Sequence, residues 1–250
     1  MNVILVTSQI TYVPENYLGI FEQLLSHLDS NVNIKALILL KNLDQSVVKS
    51  SLGLYFLGAG QTANSLIKNI IQLRKDSRKE LFASKNIPVL EFKSLNDDAA
   101  VTKVKELECD LVINLRTRCI YKKAILEAPK LGCINIHHGL LPKYRGTLCD
   151  LYALSENRKA GFTIHRMNKK IDAGKILEVV EVSTDGDKNY QEYLRKASLT
   201  EGRELAKLLN HWSKEKSPPH EKNNECDSPI FTKNPTRKQI KDFKKQGLIL

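Results

Sequence analysis

Short apolar runs rich in β-branched residues alternate along this chain with stretches whose apolar positions recur at helical spacing. Residues 3–7 form the first run, and in 18–28 the positions Leu18, Phe21, Leu24, Leu25 and Leu28 fall on one helical face. The pattern predicts a second strand over 32–40 and a third over 87–92, with Pro88 near its start, where a missing donor is tolerated. It continues with a helix over 97–107, a strand over 110–115, a short helix over 122–128 and a strand over 132–136. The less regular stretch 41–86 yields one helix, from Thr62 to about Leu73. Further on come a strand over 175–182 and a long helix over 190–212, apolar at Tyr193, Leu194, Ala197, Leu205, Leu208 and Leu209. This alternation predicts an α/β fold, a mainly parallel Rossmann-like sheet with helices on both faces. Ser217-Pro218-Pro219 breaks the pattern, so residues 1–212 are expected to form the main α/β domain and 213–250 a basic C-terminal extension, an appendage left largely in solvent.

At 250 residues the chain is long enough to bury a proper core. No apolar run is long enough to span a bilayer, so no membrane association is expected, and the first run is too short, and lacks the basic lead, for a signal peptide. Five cysteines (Cys109, Cys119, Cys133, Cys149 and Cys226) form no C-x-x-C pair, which suits a reducing cytoplasm and no structural metal. The net charge is +11, and residues 101–150 carry nine basic against five acidic side chains. A basic region suits anionic ligands, although a lysine-rich solvated surface explains most of the excess. Gly58-Ala59-Gly60 invites a dinucleotide reading, but it lacks the third glycine of that fingerprint and follows a doubtful strand, which disfavours a Rossmann-type oxidoreductase.

The most informative stretch is Asn135-Ile136-His137-His138-Gly139-Leu140-Leu141-Pro142, with Asp172 thirty-five positions after His137. Asn135 and His137 sit two apart at the end of an apolar run, so in a strand both side chains share a face. A carboxamide beside an imidazole can hold a carbonyl oxygen and manage a proton, and a carboxylate from elsewhere can orient that imidazole. Singly, each residue is as well explained by a cap, a strand-end histidine or a turn. His138 and His165 have no spacing that demands catalysis. Lys143, Tyr144 and Arg145 lie either against an acceptor or on a flexible exposed loop.

Together these motifs resemble the formyltetrahydrofolate-dependent formyltransferases, the group that acts on methionyl-tRNA, glycinamide ribonucleotide and nucleotide sugars. The resemblance rests on Asn135, His137, Leu140-Leu141-Pro142, Tyr144-Arg145-Gly146, Gly161 to Met167, and Asp172 with Gly174, and covers about residues 86–182. Gly139 stands where the family more often has Ser. The resemblance implies formyltetrahydrofolate as donor, Asn135 on the oxyanion, His137 in proton transfer and Asp172 orienting it. It also implies a pterin held by backbone at Arg116, Thr117, Arg118, Cys119 and Ile120, with Asn168 and Ile171 on the opposite wall. The acceptor is expected to be a small primary amine, phosphorylated or nucleotide-linked, an amino sugar on a nucleotide carrier being favoured. Glycinamide ribonucleotide is disfavoured because the loop 7–16 has no glycine, and tRNA because few residues follow Trp212. A catalytically silent folate-binding module of the same fold is the rival reading, and a homodimer is left open.

Overall fold

The structure, a computed structural model, describes residues 1–250 apart from the side chains of Ser46 and Ser50. Nine strands are described: β1 Asn2–Ser8, β2 Asn33–Leu40, β3 Val89–Phe92, β4 Leu111–Leu115, β5 Cys133–His137, β6 Tyr144–Gly146, β7 Gly161–Arg166, β8 Ile176–Glu181 and β9 Ile230–Thr232. Seven of them build one sheet in the order β3-β2-β1-β4-β5-β7-β8, and β6 pairs with β9 in a second, two-stranded sheet. The strands from β3 to β5 are mutually parallel, whereas β7 runs antiparallel to β5 and β8 antiparallel to β7. The sheet is therefore mainly parallel, as the alternation predicts, with an antiparallel edge that the alternation does not disclose.

The helices are α1 Leu18–His27, α2 Gln45–Phe56, α3 Gly60–Ile71, α4 Ser77–Ser84, α5 Asp98–Glu106, α6 Lys123–Leu126, α7 Cys149–Ser155, α8 Tyr190–Glu215 and α9 Arg237–Lys245. They cover both faces of the sheet. Val3 and Leu5 of β1 join Phe21, Leu24, Leu194, Leu205 and Trp212 in one apolar cluster, while Ile4 and Val6 join Ala100, Val104 and Ile125 in another. Burial on both sides explains why β1 and β2 read as near-continuous apolar runs, interrupted in β2 by the half-buried Lys35. Asn189 caps α8 by accepting hydrogen bonds from the N–H groups of Gln191 and Glu192 at 3.1 and 3.3 Å.

Two regions depart from expectation. The stretch 41–86 holds three α-helices and a 3-10 turn at Gln72–Lys75, not one helix. Gly58-Ala59-Gly60 links α2 to α3, and no strand precedes it, so the setting that would cradle a dinucleotide phosphate is missing. The tail is also not left in solvent. Lys222 pairs with Ile176, β9 pairs with β6, and α9 turns Ile240 and Phe243 inward, the Phe243 ring meeting Tyr152 edge-on at 5.2 Å. The final turn buries Leu248 and Leu250, and the Leu250 carbonyl accepts the Gln61 N–H at 2.9 Å. Its apolar residues are too few and too scattered among lysines to announce this packing.

Candidate active site

The chemistry-bearing residues converge where β4 and β5 end and β7 begins to pair. In the ladder, Asn135 lies opposite Asn114 of β4 on one side and His165 of β7 on the other. Asn114 Nδ2 donates to Asn135 Oδ1 at 2.8 Å, and Asn135 Nδ2 donates to His165 Nε2 at 3.1 Å. His165 Nδ1 donates to the Arg166 carbonyl at 2.7 Å, which fixes the tautomer that leaves Nε2 as acceptor. Asn114 Oδ1 in turn accepts from Thr117 Oγ1 at 2.5 Å and Tyr121 at 3.3 Å. A carboxamide nitrogen carries two hydrogens. One is committed to His165, so the other is presented by a group whose orientation is fixed at both ends.

His137 sits two residues on, buried, with Nδ1 3.4 Å from Asp172 Oδ2 and Nε2 2.8 Å from the Tyr144 carbonyl. Asp172 Oδ2 also accepts the Gly146 N–H at 3.0 Å, and its Oδ1 lies 3.7 Å from His165 Nε2. Asp172 is in the left-handed region at φ 51, and the chain passes so close to β7 beyond it that a Cβ at Gly174 would lie 1.9 Å from the Arg166 carbonyl oxygen. Only glycine fits there, which is the physical content of the Asp-x-Gly spacing.

Gly139 is equally constrained. A Cβ there would meet His137 Nε2 at 2.6 Å, Cys149 Cβ at 2.8 Å and the Tyr144 carbonyl at 2.9 Å. Serine, the commoner residue of the resemblance, does not fit beside His137 in this ring position. Gly139→Ser is expected to displace the imidazole and lower kcat by roughly 10–100-fold with the fold retained, since misplacement by about 1 Å costs that order. Single-turnover transfer together with a far-UV dichroism spectrum checks it.

Burial holds His165 down to about 4, with the neighbouring His137 adding to the effect and Asp172 opposing it. The folded protein thus binds fewer protons here than the unfolded chain between about pH 6.5 and 4. The stability contribution is complete above that window and is lost as pH falls through it, by on the order of 1.4 kcal/mol per pH unit at most. His165→Gln is expected to flatten the acid limb of a stability–pH curve measured by urea denaturation. An unchanged limb would show that His165 is not the titrating group.

The remaining expected site residues divide. Arg118 and Ile120 of the loop after β4 are exposed, as are Asn168 and Ile171 of the loop between β7 and β8. Ile120 is 64% and Ile171 59% exposed, two apolar side chains on the two expected walls. Thr117 faces Asn114, and the Cys119 thiol lies 3.6 Å from Ser94 Oγ. Arg116 turns inward, donating to His138 Nδ1 at 2.6 Å, so its charge is not available to an anionic ligand. Arg145 is buried and donates to the Asn224 carbonyl at 2.7 Å, and Tyr144 lies under the Arg158 guanidinium at 4.2 Å. Tyr144 and Arg145 thus lie in β6, with Lys143 in the turn that leads into it. Asn114 and His165 are the residues that the sequence does not single out. Their signal is the register across three strands, and the direction of β7 is not written in its own residues.

The fold is thus a mixed seven-stranded α/β sheet that gathers an Asn–His pair and an Asp at one strand end. More particularly, the chain belongs to the formyl transferase family, whose model matches residues 66–209, from α3 through most of α8. A methionyl-tRNA formyltransferase from Bacillus cereus (strain B4264) is 37% identical over 163 residues, covering 64% of this chain and 51% of that protein. One from Bacillus licheniformis is 39% identical over 112 residues, covering 44% of this chain and 35% of that protein. The matched segments thus span about a third to a half of these relatives. Among solved structures, a sugar N-formyltransferase from Shewanella sp. superposes with a TM-score of 0.59 at 16% identity, covering 98% of this chain and 87% of that one. A phosphoribosylglycinamide formyltransferase from Anaplasma phagocytophilum gives 0.59 at 18% identity, covering 93% and 99%. At these identities the structures show a shared fold.

Proposed function

We propose that this chain transfers a formyl group from formyltetrahydrofolate to a primary amine. The observation that carries this reading is the fixed Asn135 carboxamide, tied to Asn114 and His165, beside the His137–Asp172 pair. The amine attacks the formyl carbon, a C–N bond forms, and the carbonyl electron pair moves onto oxygen. The free Asn135 N–H binds that oxyanion, a contact worth about 10²–10³-fold in rate. The proton shed by the amine passes to the His137–Asp172 pair. The oxyanion then collapses, the bond to the folate nitrogen breaks, and that nitrogen takes up the proton. The pterin lies between Ile120 and Ile171 against the backbone of 116–120, with Asn168 on the same wall as Ile171, and exposed Arg118 reaches the anionic tail of the donor.

For the acceptor, the loop after β1 is informative. The N–H groups of Gln9, Ile10, Thr11, Val13 and Asn16 are donated respectively to Leu40 O, Asn42 Oδ1, Asn16 Oδ1, Thr11 Oγ1 and Asn69 Oδ1. With these five amides already satisfied the loop offers a phosphate little, which argues against a ribonucleotide phosphate seated there. An amino sugar on a nucleotide carrier is the acceptor we favour. Methionyl-tRNA is the second reading, supported by the 37% identity to enzymes of that name. Incubation with formyltetrahydrofolate and a panel of nucleotide amino sugars, methionyl-tRNA and glycinamide ribonucleotide separates these readings. Release of tetrahydrofolate with a formylated amine is the expected result. Folate binding with no amine formylated would point instead to a silent binding module.

A further inference from the structure

A buried group of ionisable side chains lies beneath the site and takes no part in the chemistry above. Arg116, the first residue after β4, is in the left-handed region at φ 56 with its side chain only 5% exposed. Its Nη2 lies 2.6 Å from His138 Nδ1, 3.6 Å from Glu201 Oε1 and 4.0 Å from Asp150 Oδ2, and its guanidinium stands 5.2 Å over the Tyr17 ring. Glu201, fully buried on α8, places Oε1 3.0 Å from His138 Nδ1. Yet both Glu201 oxygens, Arg116 Nε, His138 Nε2 and Asp150 Oδ2 make no hydrogen bond among the described residues.

Stability does not account for Glu201. A buried carboxylate without hydrogen bonds is costly, and an apolar side chain of similar volume often serves the fold as well or better. What the group does is join separate parts of the site. Arg116 opens the loop 116–120, His138 adjoins His137, and Asp150 adjoins Cys149, whose Sγ lies 3.8 Å from His137 Nε2. We propose that Glu201 is a positioning residue for formyl transfer: from α8 its ion pair with Arg116 keeps that guanidinium against His138, and so fixes the spacing between the donor loop and the catalytic strand. This inference rests on the functional reading above.

The test compares Glu201→Leu and Glu201→Gln with the wild type by thermal denaturation, by steady-state kinetics with donor and acceptor varied separately, and by direct titration with tetrahydrofolate. Glu201→Leu is expected to keep or raise Tm while raising the donor KM about 10-fold or more, with the acceptor KM unchanged. Glu201→Gln, which preserves shape, is expected to fall between. A donor KM unchanged in both variants, or a loss of activity that only follows the folded fraction, would overturn the proposal. If the leucine variant does not fold, the glutamine variant and its tetrahydrofolate Kd decide by the same criterion. Wild-type protein that binds no folate would instead sink the functional reading itself and the inference with it.

Discussion

Asn135→Ala is expected to lower kcat by about 10²–10³-fold, the usual consequence of removing one oxyanion donor. The donor KM should change little, because the carboxamide contributes where charge develops rather than where the ground-state carbonyl rests. Asn135 is half-buried in the middle of β5, and truncation leaves Asn114 Nδ2 and His165 Nε2 without a partner, so a stability loss of about 1–3 kcal/mol accompanies the kinetic effect. Single-turnover rates with folded protein separate the two. Asn135→Asp sharpens the test. The carboxylate keeps the shape, accepts from Asn114, and turns an acceptor toward both His165 and the developing oxyanion. It should be at least as damaging as alanine. Transfer surviving either change at the wild-type rate would remove Asn135 from the mechanism.

Asp76→Ala is expected to cost about 3–5 kcal/mol, the range for leaving one partner of a buried ion pair without the other. Arg78 has no exposed surface. Its Nε and Nη2 bind Asp76 Oδ1 and Oδ2 at 2.9 and 2.7 Å, and Nη1 and Nη2 hold the carbonyls of Ser8 and Gln9 at 3.0 and 2.6 Å. Asp76 also caps α4 by accepting the Arg78 N–H at 3.0 Å. The alanine variant therefore strands a desolvated guanidinium and uncaps a helix at once. Against a typical total of about 5–15 kcal/mol, that is a large fraction of the stability. Urea denaturation measures it, and the double change Asp76→Ala with Arg78→Met should recover most of the loss. A single-variant cost under about 1 kcal/mol would mean that water reaches the guanidinium.

These two residues illustrate what the sequence discloses. Asn135 is legible because its strand is apolar, β-branched and short, and because a second polar residue two positions on can only share its face. Continuous apolar runs locate β1 and β2, and the 3.6 period locates α1 and α8, all to within about three residues. Arg78 is not legible. An arginine after an aspartate in a polar stretch reads as surface, and nothing local says that it spans back to the end of β1, some seventy residues earlier. His165 fails for a related reason. It sits in a strand that any reader would draw, but whether that strand runs with or against β5 decides whether it meets Asn135. The direction is set by the chain path between the strands, not by the residues in them. Helix α9 is hidden differently: only Ile240 and Phe243 among its nine residues are buried, too sparse a stripe to stand out from the lysines around it.

The change of strand direction at β5 has a consequence for how this site tolerates variation. Asn135 is held from one side by a neighbour running its own way and from the other by one running against it. The two rows are tuned independently. One residue inserted into β7 ahead of His165 would bring Ile164 or the inserted residue opposite Asn135 and turn the imidazole to the other face of the sheet. The same insertion in the exposed turn after β8 would leave the row untouched. Length changes among relatives should therefore gather outside Gly161–Arg166, and a comparison of such chains would show this strand as the stretch that never gains or loses a residue.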